Sequence, residues 1–142
     1  MKKLFFVVFG AGMVALSAFG QKLKESQVPA AAKAAFAKKF PGVKGSWDKE
    51  GANYEVNFKQ GVTPMSALMD DNGTIVEIET SIHVSDLPKA VHNYMKKHYA
   101  GTKIQEAAKI VRSNGEVNYE AEINHKDVIF DANGKFIREA KD

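Results

Sequence analysis

The chain has 142 residues, no cysteine, and 20 lysines and arginines against 17 aspartates and glutamates. Without a thiol, disulfides, thiol catalysis, Cys-ligated metals and a lipid-bearing N-terminal cysteine are excluded. The near balance of charge, with no Lys/Arg stripe interleaved with aromatics, gives nucleic-acid binding no support.

Residues 1–20 read as an address. "MKK" is a positive n-region, "LFFVVFGAGMVALSAF" is an apolar stretch, and Ala18-Phe19-Gly20 has the small-x-small form that signal peptidases accept. The apolar run is shorter than the ~20 residues of a spanning helix, and Gly10 and Gly12 interrupt it. The expected product is exported, periplasmic or extracellular, starts at Gln21 and has no membrane anchor. Losing Lys2 and Lys3 leaves 20 − 2 = 18 basic residues against 17 acidic ones. Residues 21–142 suit one compact domain.

A first helix is predicted from Pro29, which suits an opening helical turn, with Ala32, Phe36 and Phe40 at four-residue spacing. Gly42 follows the last apolar residue and can take a left-handed C-terminal cap. From Trp47 onward the period falls to two: Tyr54, Val56 and Phe58 alternate with Asn53, Glu55 and Asn57, as in a strand with one buried and one wet face. Gly51, Gly61 and Asn72-Gly73 punctuate short strands. A second helix follows, with Leu87, Val91, Met95 and Tyr99 at the same spacing, Ser85 or Asp86 as candidate cap, and Gly101 at its end. Tyr119, Ala121 and Ile123 then alternate with Asn118, Glu120 and Glu122, among turns at Asn114-Gly115, "NHKD" and Asn133-Gly134.

The two halves match. Val28 to Lys44 aligns without a gap on Leu87 to Lys103, with five of seventeen positions identical, and "NYEVNF" is matched by "NYEAEI". The expected fold is therefore α+β: two tandem helix-plus-four-strand repeats, at about 28–80 and 87–140, forming a curved antiparallel sheet with two helices on one face.

Each repeat carries Asp-x-Asn-Gly between apolar runs, which suggests either a calcium loop or a hairpin. With Gly73 or Gly134 at loop position six, the first ligand falls on Leu68 or Ile129, and the second copy has Ala140 where a bidentate Glu belongs. Asn-Gly, both of whose residues tolerate positive φ, is a strong hairpin signal. The hairpin is the reading adopted.

The tandem pattern "x-P-x-A…F/Y-x-G", then "N-Y-E", then "F-D-x-N-G-x-hydrophobic" resembles the β-lactamase-inhibitor-like, PepSY-like family of small secreted bacterial proteins. The resemblance runs from Val28 to about Glu139. Its most specific piece is "VIFDANGKFI" (Val128 to Ile137), seen more loosely as "ALMDDNGTIV" (Ala67 to Val76). It implies a curved antiparallel sheet backed by helices. The link of related PepSY domains to holding or inhibiting peptidases implies protein or peptide binding. It does not imply β-lactamase inhibition, which would reside in loop residues that find no match here.

No catalytic pattern stands out. Ser46, Ser66 and Ser113 lack nucleophile-elbow glycines. His92 and His98 are roughly 240° apart on one helix and cannot share a ligand, while His83 and His125 fall outside it. Neither a metal nor a cofactor is expected. Glu55, Glu77, Glu79, Glu120 and Glu122 are expected to face away from the helices on a solvated sheet face or, in the sharper reading, an acidic receptor surface. Trp47 is expected either at a strand start in the core or as a contact anchor. The function these features suggest is an exported, non-catalytic module that recognises a protein or peptide through the helix-free face, with peptidase modulation as one form. The alternative is a small-ligand or cation-binding protein using an acidic sheet face, and a secreted hydrolase ranks below both. The partner-binding candidates are Trp47, Glu55, Glu77, Glu79, Glu120 and Glu122.

Overall fold

The computed structural model describes residues 21–141, so the expected leader lies outside the described residues. Contacts divide the chain between Val76 and Glu77 into two compact units. The first holds β1 (Gln21–Leu23), α1 (Ala30–Lys39), β2 (Gly45–Glu50), β3 (Asn53–Gln60) and β4 (Thr63–Met69). β5 (Ile75–Ile82) begins just before the boundary. The second unit continues with α2 (Lys89–His98), β6 (Glu106–Arg112), β7 (Val117–Ile123), β8 (Lys126–Asp131) and β9 (Phe136–Lys141). Strand pairs within each unit are antiparallel and join chain neighbours. The class is α+β.

Among the described residues nine strands stand where eight were expected. The added strand is β1, whose Gln21, Lys22 and Leu23 pair with Lys49, Asp48 and Trp47. It is short and polar, with no alternation to announce it. Backbone pairing holds it in place, not a buried face.

α1 (AAAKAAFAKK) is rich in alanine, the best helix former. It buries Ala32 and Phe36. The Phe36 ring meets Trp47 at 5.8 Å and Phe58 at 5.1 Å, both edge-on, and Phe40 lies 4.5 Å from Phe58. α2 buries Val91 and Met95 against Ala107, Ala121, Ile123, Val128 and Phe130. Tyr94 stacks on Phe136 at 5.0 Å and meets Phe130 edge-on at 5.4 Å. Each large side chain buried this way contributes about 1.5–3 kcal/mol.

Three local details differ from expectation. Pro29 and Pro88 occupy the N-cap rather than the first helical turn, and neither helix has a side-chain cap. Ser85 and Asp86 lie in a separate 3-10 turn, Val84–Asp86, and cap nothing. Gly42 and Gly101, at φ +74° and +77°, serve turns beyond the helix ends: Val43 N–H donates to Phe40 O and Thr102 N–H to Tyr99 O. This is type II geometry, which needs positive φ at its third residue.

The Asp-x-Asn-Gly segments are hairpin turns. Asp70 Oδ1 accepts the backbone N–H groups of Asn72 and Thr74 at 3.0 and 2.8 Å. Asp131 Oδ1 accepts those of Asn133 and Lys135, both at 2.9 Å. Only the glycines take positive φ, +81° and +80°, so each is a three-residue loop ending in a glycine bulge. Both turns also press on a helix start. A Cβ on Gly73 would lie 2.5 Å from Ala31 O, and one on Gly134 would lie 2.7 Å from Ala90 Cβ. Glycine is required there twice over, for φ and for space.

Candidate functional site

On the helix-free side of the first unit, Asp48 of β2 stands opposite Glu55 of β3, which stands opposite Leu68 of β4. Asn57, two residues along, joins the acids: its Nδ2 donates to Asp48 Oδ2 at 3.2 Å and to Glu55 Oε2 at 3.4 Å. Glu55 is 4% exposed, and Asp48, Glu50 and Ser66 are also buried. Glu55 Oε1 is buried without a hydrogen-bond partner among the described residues. Burial pushes the Glu55 carboxyl up to about 7; Asn57 and Ser66 beside it pull the other way, and the charges of Glu50 and Asp48 add to the rise. Burial, then the Asp48 charge, also raises Glu50.

In the second unit Glu77 of β5 stands opposite Arg112 of β6. The guanidinium reaches the Glu77 carboxylate at 3.3 Å, and its Nε donates to Asn118 Oδ1 at 3.1 Å. Asn118, 1% exposed, donates in turn to Glu116 Oε1 at 3.2 Å. Burial raises the Glu77 carboxyl while Arg112 and Arg138 pull it down. Glu120 stands between Ala108 and Ile129, and Glu122 between Glu106 and Asp127. Glu79, Glu120, Glu122 and Asp127 are all buried.

The expected solvated face is therefore corrected. Glu55, Glu77, Glu79, Glu120 and Glu122 do lie away from the helices, yet each is at most 4% exposed. The reason is the company they keep: Leu68, Ala108, Ile110 and Ile129 share their parity and are buried too. Trp47 lies on the opposite, helix side, 5% exposed and packed on Phe36, which makes it a core residue. None of the six candidates presents its side chain at the surface.

Asp48, Asn57, Arg112, Asn118 and Asp127 belong to the same constellations but were not anticipated. Runs of three apolar residues, Ala67-Leu68-Met69 and Val128-Ile129-Phe130, carried the available signal, because a strand apolar at consecutive positions is buried on both faces. Among the described residues no three His, Cys, Asp or Glu side chains gather as a metal site. No helix of the described residues is long and apolar enough to cross a membrane.

The family model described as beta-lactamase-inhibitor-like, PepSY-like matches residues 52–138. The chain belongs to that PepSY-like family. No curated protein matches it. This PepSY-like chain is similar in fold to a DUF2874 family protein from Bacteroides uniformis, with 20% identity, TM-score 0.71 and coverage of 80% of this chain and 89% of that one. It is similar to a protein of Bacteroides eggerthii at 15% identity, TM-score 0.72 and coverage of 80% and 88%. It is also similar to a BLIP-like protein of Bacteroides fragilis at 21% identity, TM-score 0.60 and coverage of 80% and 86%. The B. eggerthii protein is described, provisionally, as periplasmic.

Proposed function

We propose that the exported chain, residues 21–142 as one two-repeat domain, is a non-catalytic binding module that receives a basic segment of a protein or peptide on the helix-free side of its strands. The observation that carries this reading is the burial of Glu55 close to the like charges of Glu50 and Asp48 on the helix-free side of the first unit. A carboxylate taken out of water costs several kcal/mol unless it is compensated. A group such as Glu55, raised to about 7, gains when a partner's lysine or arginine arrives. Membership of a family described as inhibitor-like, and fold similarity to a BLIP-like protein, support protein recognition and leave the partner open. Modulation of a peptidase is one form it would take. The buried, unpartnered Glu55 Oε1 favours a second reading, uptake of a cation or small cationic ligand at the same side.

Affinity capture from the exported fraction, with tagged mature protein and a Glu55→Gln bait in parallel, tests the first reading. One stoichiometric partner, lost from an altered bait that still melts cooperatively, supports it. No partner on either bait, together with a melting rise on adding calcium that a chelator reverses, would replace it with the second.

A further inference from the structure

The helices carry positive charge and no acidic residue of their own. Residues 28–44 hold Lys33, Lys38, Lys39 and Lys44; residues 87–103 hold Lys89, Lys96, Lys97 and Lys103 with His92 and His98; neither stretch contains an Asp or Glu. All 17 acidic residues lie elsewhere. Acids in a first helical turn favour the helix dipole, yet neither helix has one. Local stability would welcome the negative charge that both helices lack.

On α2 the charges form a face. At roughly 100° per residue, Lys89, His92, Asn93, Lys96 and Lys97 share an arc of about 140°, opposite the buried Val91 and Met95. Lys89, Lys96 and Lys97 are exposed. No arginine or large aromatic stands among them. Protein-recognition hot spots favour Trp, Tyr and Arg, and lysine is depleted at interface cores. Lysines act as separate point charges on flexible stems, without arginine's planar fork. Such an array suits a diffuse lattice of negative charge better than a shaped pocket.

We propose that the outer face of α2 docks on the anionic phospholipid headgroups of a bilayer bounding the compartment that receives the protein. With no cysteine to lipidate and no membrane-crossing helix among the described residues, this contact is peripheral and electrostatic. It goes beyond the binding function above and is compatible with it. Within the second unit, the side bearing Glu77, Glu79, Glu120 and Glu122 faces away from α2 and is left to another partner.

The test is co-sedimentation of the mature chain (residues 21–142) with vesicles of phosphatidylcholine alone or mixed with phosphatidylglycerol. Binding is expected to the mixed vesicles at low salt, to fall steeply as salt shortens the screening length, and to be weak for phosphatidylcholine alone. Lys96→Gln with Lys97→Gln should weaken binding roughly 25-fold, about fivefold for each lysine near a charged membrane. The control, Lys59→Gln with Lys135→Gln, removes the same charge from exposed strand and turn positions and should bind like the native chain. Circular dichroism verifies that both variants fold. The proposal is overturned by absence of binding at low salt, by equal binding to both vesicles, or by equal loss in the two variants, which would reduce the effect to net charge.

Discussion

Glu55→Gln should stabilise the protein at neutral and alkaline pH and do little in acid. The folded carboxyl is raised from 4.5 to about 7, chiefly by burial. Below pH 4.5 the group is protonated both folded and unfolded and costs nothing. As pH rises toward 7 the unfolded chain ionises first, so stability falls; above 7 the folded group ionises too and the cost stays constant. At 1.36 kcal/mol per unit, the full cost approaches ~3 kcal/mol, an upper figure because the site relaxes. Glutamine keeps an oxygen to accept from Asn57, as Glu55 Oε2 does at 3.4 Å. The assay is thermal and urea unfolding of both proteins between pH 4 and 8.5. The difference between them should open through pH 5–7 and reach about 10 °C at pH 8, taking ~3–4 °C per kcal/mol for a chain of this size. Subtracting the two curves removes the contribution of Glu77, raised in the same direction, while Glu50, whose charge adds to the Glu55 rise, shares in the difference. Parallel curves across the whole range would refute the argument.

Gly134→Ala should cost about 2–4 kcal/mol, since left-handed strain adds to a clash with the start of α2. Gly115→Ala, at φ +84° in open space, should cost only about 1–2 kcal/mol; urea midpoints compare the two. Arg112→Ala should destabilise by about 2–3 kcal/mol at pH 7 by leaving Glu77 buried without its nearest cation. It should cost less at pH 5, where that raised carboxyl more readily takes a proton, and paired denaturation curves give the difference. Asp131→Ala should cost about 1–2 kcal/mol for two lost hydrogen bonds, whereas Asp131→Asn, still able to accept them, should cost a small part of that. A calcium ligand would not tolerate that exchange so readily, so equal losses in melting temperature would argue against the turn.

The helices and hairpins were legible because they are written in short-range code: four-residue spacing in Ala32, Phe36 and Phe40, and Asp-x-Asn-Gly between apolar runs. Even there, Asn-Gly named the turn without its form. The two-residue turn with positive φ at both positions falls instead at Asn124 and His125. β1 escaped notice because its three residues carry no pattern and depend on partners 24 to 28 positions away, from Trp47 for Leu23 to Lys49 for Gln21. Alternation told which way Glu55 and Glu120 point but not what lies over them. Parity is a local property of a strand, whereas burial depends on side chains that come from neighbouring strands of the same unit, Leu68 beside Glu55 and Ala108 and Ile129 beside Glu120.

The contacts of Gly73 with Ala31 and Gly134 with Ala90 also bear on how the chain folds. They join residues 73 − 31 = 42 and 134 − 90 = 44 positions apart, while the Asp70–Thr74 and Asp131–Lys135 turns close within five residues. Loop closure favours the short links first. Each hairpin should therefore zip early and the helix start be clasped late, so in a Gly134→Ala chain the turn strain would slow folding while the clash with the helix start would register as faster unfolding. The last turn of each half acts as a latch: until it seats, the helix before it has no fixed beginning.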